Sequence, residues 1–135
     1  MVWDAEEVAD LEVAEVDGNV CIFATSTSEN ARLYKGFCKT PFVGLVDINR
    51  EEIVWVENPF TEESGSASMF LKFLLDKGIE IIISGDKPGA GVFPILERAG
   101  IKVYVDSGSV KDAIHKYKKG ALKLAKDGYP KGDCR

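Results

Sequence analysis

Between Gly78 and Val105 the apolar positions change period twice. Ile79, Ile81, Ile82 and Ile83 form a β-branched run broken only by Glu80, the pattern of a strand buried on both faces in a parallel sheet. A glycine-rich turn (Gly85, Gly89, Gly91) follows. Val92, Ile95, Leu96 and Ala99 then fall at i, i+3, i+4 and i+7, one stripe of a short helix. Pro94 sits near its start, where a missing N–H costs little, and Gly100 supplies a left-handed stop. Ile101, Val103 and Val105 open a second strand. Strand, helix and strand predict a βαβ unit, whose right-handed crossover demands a parallel pair.

Upstream, Val20–Ala24 is a short apolar run and a central strand. Thr25–Thr40 shows neither period, and a loop of that length in a small domain is often functional or mobile. Phe42–Ile48 and Ile53–Val56, joined by Asn49-Arg50-Glu51, predict an antiparallel hairpin. Ala67, Phe70, Leu71, Leu74 and Leu75 are the apolar face of a helix that Gly78 ends, with Ser64 or Ser66 as its cap. After Val105, Ser109 and Asp112 resemble a capping box before a last helix on Val110, Ala113, Ile114, Tyr117 and Ala121. The sum is a single-domain α/β fold of two or three layers, with about five strands and the later ones parallel.

Length and charge refine this picture. With 135 residues the chain is one domain, and its core starts at Asn19 and runs to residue 126. Residues 1–18 are an acidic extension (Asp4, Glu6, Glu7, Asp10, Glu12, Glu15, Asp17) that fits either a helix over Asp4–Leu11 or a strand over Leu11–Val16. Residues 127–135 read as a disordered tail. The net charge of −5 argues against a nucleic-acid binder, although the last 25 residues are rich in lysine. No apolar run approaches the ~20 residues of a membrane span, and the acidic start lacks the features of a signal peptide. The expected address is the cytoplasm, where Cys21, Cys38 and Cys134 would be reduced.

Enzyme chemistry finds little support. No Gly-x-Ser-x-Gly lies between a strand and a helix, and neither a P-loop nor GxGxxG occurs in register. Asp47 alone falls short of the carboxylate cluster that a two-metal nuclease needs.

Three stretches carry a family likeness: FVGLVDINREEIVWVENPF, GIEIIISGDKPGAGVFPILERAGIKVYV and SGSVKDAIHKYKKGAL. Over residues 19 to 122 the chain resembles the dinitrogenase iron–molybdenum cofactor biosynthesis proteins, the NifX/NafY-like carriers and their small stand-alone relatives. The resemblance implies a ribonuclease-H-like five-stranded mixed sheet, order 3-2-1-4-5, with about three helices. It also implies a non-catalytic binder of an iron–sulfur or molybdenum-containing cluster that passes its cargo to an acceptor protein. The resemblance implies histidine, typical of family members, before the second strand and at the start of the first helix. Here those places read Tyr34-Lys35-Gly36-Phe37-Cys38-Lys39-Thr40-Pro41-Phe42 and Ser64-Gly65-Ser66-Ala67, without histidine. Cys38 remains as the soft metal ligand, its thiolate favoured by Lys35 and Lys39. One cysteine does not close a metal site, so a homodimer or an exposed cluster would supply the rest.

The turns after the parallel strands should meet at one rim of the sheet, where α/β ligands bind. The expected site is therefore a cleft lined by Cys38, by Gly85, Gly89 and Gly91, and by Ser107, Gly108 and Ser109, whose amides would face an anion. The alternatives are plain tight turns and an incidental loop thiol. Cys21 reads as a core residue and His115 as an exposed one. Two further functional readings stand beside the carrier: an interaction domain that has lost its cluster, and an anion- or nucleotide-binding module built on the glycine turns.

Overall fold

The computed structural model describes residues 19–60 and 66–127. The acidic extension, the 61–65 segment with Ser64, and the tail with Cys134 lie outside the described residues. β1 (Val20–Ala24) is the centre of the sheet, buried at every position. It pairs antiparallel with β2 (Phe42–Asp47), which pairs antiparallel with β3 (Glu52–Glu57). On its other side β1 pairs parallel with β4 (Ile81–Ser84), and β4 parallel with β5 (Lys102–Val105). With β6 (Lys123–Leu124) the full order is β3-β2-β1-β4-β5-β6.

The sixth strand, β6 (Lys123–Leu124), extends the five-stranded expectation and runs antiparallel to β5. Its origin lies in Gly120. The last helix was expected to reach Ala121, but α3 (Val110–Lys118) stops earlier, and Gly120 takes φ +71, a conformation open to glycine at little cost. The chain turns back there and lays Leu124 beside Tyr104.

Strand alternation divides the core into two layers. Cys21, Phe23, Val43, Ile82 and Val103 face α1 (Ser66–Asp76) and α2 (Phe93–Arg98), meeting Phe70, Leu71, Leu74 and Leu96. Val20, Ile22, Ala24, Val46 and Ile83 face α3 through Val110, Ala113 and Ile114. The architecture is thus three-layered, helices–sheet–helix. The predicted βαβ unit is present, and Gly100 closes its helix with φ +80. Its stripe is narrower than expected: Val92 and Leu96 are buried, whereas Ile95 is exposed, because α2 spans only six residues. No helix among the described residues is long and apolar enough to cross a membrane.

Candidate functional site

β1, β4 and β5 are parallel, so the segments that follow them leave the sheet at one rim. Two of these are the glycine turn after β4 and the Ser107–Ser109 turn after β5. The third is the long loop after β1, which is anchored along its length. Thr25 donates its amide to the Arg32 carbonyl at 3.1 Å, and Tyr34 donates to Phe23 at 3.0 Å. Leu33 donates to the Gly108 carbonyl at 3.1 Å, and Gly85 to the Tyr34 carbonyl at 3.0 Å. The loop therefore touches both other turns, through Ala31–Tyr34. Gly85 is the seam of this junction. A Cβ there would lie 2.4 Å from the Tyr34 carbonyl oxygen, well inside contact distance, so any other residue would force the loop to shift.

Gly85 and Ser107 line one cleft of about 430 Å3, together with Asp106, Lys116, Leu122 and Lys123. Lys116 Nζ stands 3.2 Å from a carboxylate oxygen of Asp106, and Lys123 adds a second cation. The α3 N-terminus next to it is already satisfied. Val110 and Lys111 donate to the carbonyls of Ala31 and Glu29, both at 2.8 Å. Asp112 donates its amide to Ser109 Oγ at 3.2 Å, the cap that the sequence suggests, and Ala113 donates to the Ser109 carbonyl. The amides of Ser107, Gly108 and Ser109 donate to no described residue, but of the three only Ser107 lines the cleft. Of the residues expected at this cleft, Gly89, Gly91, Gly108 and Ser109 take no part in lining it. Gly89 is buried, its carbonyl accepting from Val92 and Phe93, and Gly91 is exposed. The helix they open is too short to gather an appreciable dipole.

Cys38 lies elsewhere. It is 1% exposed and packs in the core layer under α1 and α2 with Phe37, Val43 and Phe70. It also stands in a disulfide, in contrast to the reduced, exposed thiol that the sequence led us to expect. The reason is local. Phe37 drives its ring against Phe23, centroids 4.9 Å apart, and carries the following residue inward with it. Asn58 then locks the turn: its side-chain amide donates to the Cys38 carbonyl at 3.1 Å and to the Thr40 carbonyl at 2.9 Å. Its Oδ1 accepts from the Phe60 amide at 2.9 Å. Asn58, which lies in one of the stretches that carry the family likeness, is thus the clamp of the long loop. Cys21 is fully buried, and burial pushes its thiol well above the ordinary range. It is a core side chain, as expected. Among the described residues no three of His, Cys, Asp and Glu gather as a metal site.

A second cleft, of about 500 Å3, opens on the other flank of α3. It holds His115 and Lys111 of α3 and Trp55 of β3. His115 is exposed, as expected, but it faces this hollow and not bulk solvent alone. Sequence reasoning passed over Trp55 because in β3 it alternates like any half-buried strand residue. No local signal tells that the helix crossing this face stops short of it.

The fold resembles that of several known proteins. The orange protein of Desulfovibrio gigas, in its apo form, superposes with a TM-score of 0.74 at 20% identity, over 83% of this chain and 96% of that one. A candidate NifB protein from Thermotoga gives 0.70 at 24% identity, covering 84% and 97%. A candidate dinitrogenase from Methanocaldococcus jannaschii gives 0.59 at 16%, covering 80% and 94%. At these identities the likeness concerns the fold. Comparison with curated proteins gives no match. The profile described as dinitrogenase iron–molybdenum cofactor matches residues 19–120, from the start of β1 past the end of α3. The chain belongs to that family.

Proposed function

We propose that this protein is a non-catalytic carrier that shelters a metal–sulfur cluster, or a precursor of one, at the sheet rim and releases it to an acceptor protein. The family match over residues 19–120 carries this reading. Thiometallates and metal–sulfur clusters are anions, and the rim cleft suits an anion held without a full set of side-chain ligands. Lys116 and Lys123 outweigh Asp106 there, and Ser107, whose amide donates to no described residue, lines the same cleft. Hydrogen bonds with an ionised partner are roughly twice as strong as neutral ones. They also leave the guest free of covalent bonds, which a protein that must hand over its cargo requires.

Tetrathiomolybdate, coloured and dianionic, is a direct probe. Under anaerobic conditions the protein should retain molybdenum through gel filtration and shift the visible spectrum of the anion. The double substitution Lys116→Glu, Lys123→Glu should abolish retention, whereas Cys38→Ser should preserve it. Loss with Cys38→Ser alone would move the site to the buried sulfur. A wild-type protein that stays colourless, also after reconstitution with iron, sulfide and molybdate, would end the carrier reading.

A second reading is favoured by one observation: the stretches 34–42 and 64–67 contain no histidine, where the family resemblance led us to expect it. On this view the domain keeps the fold and serves as an interaction module. A partner captured equally well by wild type and Cys38→Ala, but lost when the exposed lysines of α3 are reversed in charge, would decide for it.

A further inference from the structure

The cleft between α3 and β3 is separate from the rim cleft and is built differently. Its floor is apolar, formed by Ile53, Trp55 and Ile114. Trp55 reaches that floor because the neighbouring strand has no side chain beneath it. A Cβ on Gly44 would stand 2.9 Å from the indole Cζ3 and 2.7 Å from Ile53 Cγ2. Glycine at this point of β2 lets the indole settle onto the sheet while it remains half-buried and in contact with the hollow. Aromatic faces placed in this way stack on flat rings.

The walls are polar and have spare capacity. Lys111 and His115 lie one turn apart on α3 and border the cleft together. Lys111 is exposed and has no ion-pair partner among the described residues. The turn Thr27–Asn30 forms the opposite wall, and the carboxylate of Glu29 is likewise unpaired there. Glu51, at the hairpin turn, is engaged by Lys118. A carboxylate accepts hydrogen bonds and does not donate them, so a ligand edge meeting Glu29 must carry N–H groups. An unpaired ammonium calls for an anion. Yet two carboxylates in the same cleft repel a bare anion, so binding must draw on the apolar floor as well. A volume of about 500 Å3 is that of a small-molecule site.

From this combination we infer that the cleft binds an amino-bearing planar nitrogen heterocycle with an anionic group, of the nucleoside monophosphate class. Its ring stacks on Trp55, its anion meets Lys111 and His115, and its amino edge meets Glu29. This site does not depend on the carrier reading, since it shares no residue with the rim cleft.

The test uses the full chain with Trp3→Phe, which leaves Trp55 as the sole indole. AMP and GMP should quench its emission saturably, and inorganic phosphate should neither quench nor compete. Adenosine should bind about tenfold more weakly than AMP. Lys111→Ala should bring AMP down to the level of adenosine, and Glu29→Gln should weaken both. Both substituted residues are exposed, so the fold should persist, as circular dichroism would verify. Amide shifts on adding AMP should fall on the Thr27–Asn30 turn, β3 and the first two turns of α3. The inference is overturned by absence of saturable quenching with either nucleotide, or by phosphate competing as well as AMP. Shifts confined to Gly85 and Ser107, or quenching indifferent to both substitutions, would overturn it equally.

Discussion

The two faces of the sheet are covered unequally. On one, α1 and α2 together with the inward-turned Phe37 and Cys38 make a closed layer in which Phe23, Phe37 and Phe70 are all fully buried. On the other, α3 lies alone. Six strands about 4.8 Å apart span roughly 24 Å, whereas one helix with its side chains is about 10–12 Å wide. A single helix therefore leaves a strip of sheet on each side, and the two clefts open on those two flanks. The closed face stabilises the fold, and the under-covered face offers room for guests. Changes on the first should act through stability, and changes on the second through binding.

The strongest way to break this contrast is to hollow out the closed face. Phe37 is fully buried and meets Phe23 edge to face, and Phe23 in turn lies 5.5 Å from Phe70. Phe37→Ala should cost about 3–5 kcal/mol, the usual loss for a buried aromatic ring. Urea denaturation followed by circular dichroism would measure it. A loss below about 1 kcal/mol would mean that the loop collapses into the gap and that the layer is not closed as described.

A smaller effect is expected at the seam of the rim. At Gly85 an added methyl meets the Tyr34 carbonyl oxygen at 2.4 Å, and backbone yields less readily than a side-chain end. Gly85→Ala should cost about 1–3 kcal/mol, in the range of overpacking, and should speed amide exchange at Gly85 and Tyr34. Gly91→Ala is the control. Nothing lies within 4 Å of its would-be Cβ, and it should stay within about 0.5 kcal/mol of wild type. Equal effects at the two positions would remove the distinction between a glycine that seats a loop and one that merely lies in a turn.

These positions also mark what the sequence could reveal. Periodicity was enough for β1, the hairpin and the βαβ unit, because each depends on local apolar spacing and on the handedness of crossovers, whereas the order of the first five strands came from the family resemblance. The glycines after β4 looked alike in sequence, yet only Gly85 meets another backbone, and that meeting involves Tyr34, 51 residues away. Cys38 was misplaced for a similar reason. A loop without period was taken to be exposed, whereas one buried ring and the Asn58 clamp turn it inward. β6 escaped notice because two residues carry no pattern. The cleft at Trp55 depends on where α3 is absent, and local spacing does not encode a vacancy.

The mildest probe lies at the mouth of that cleft. Glu51 heads the hairpin turn with φ +57, and its carboxylate accepts a hydrogen bond from Lys118 across to α3. That hydrogen bond, then the charge of Lys118 and to a lesser extent that of His115, holds the Glu51 carboxyl below its ordinary range. A carboxyl lowered in the folded state stabilises the fold above its unfolded pKa and loses that contribution as pH falls through the lowered value. The pair is exposed, so salt should screen it and the gain should be small. Glu51→Gln keeps the shape of the side chain and leaves the backbone strain unchanged while removing the charge. Urea midpoints of the two proteins should differ slightly at neutral pH and low salt, and converge in acid once the wild-type carboxyl is protonated. They should also converge at neutral pH as salt is raised. Curves that stay parallel from neutral to acid would show that the strap between the hairpin and α3 contributes nothing through charge, and that the edge of the under-covered face is set by packing alone.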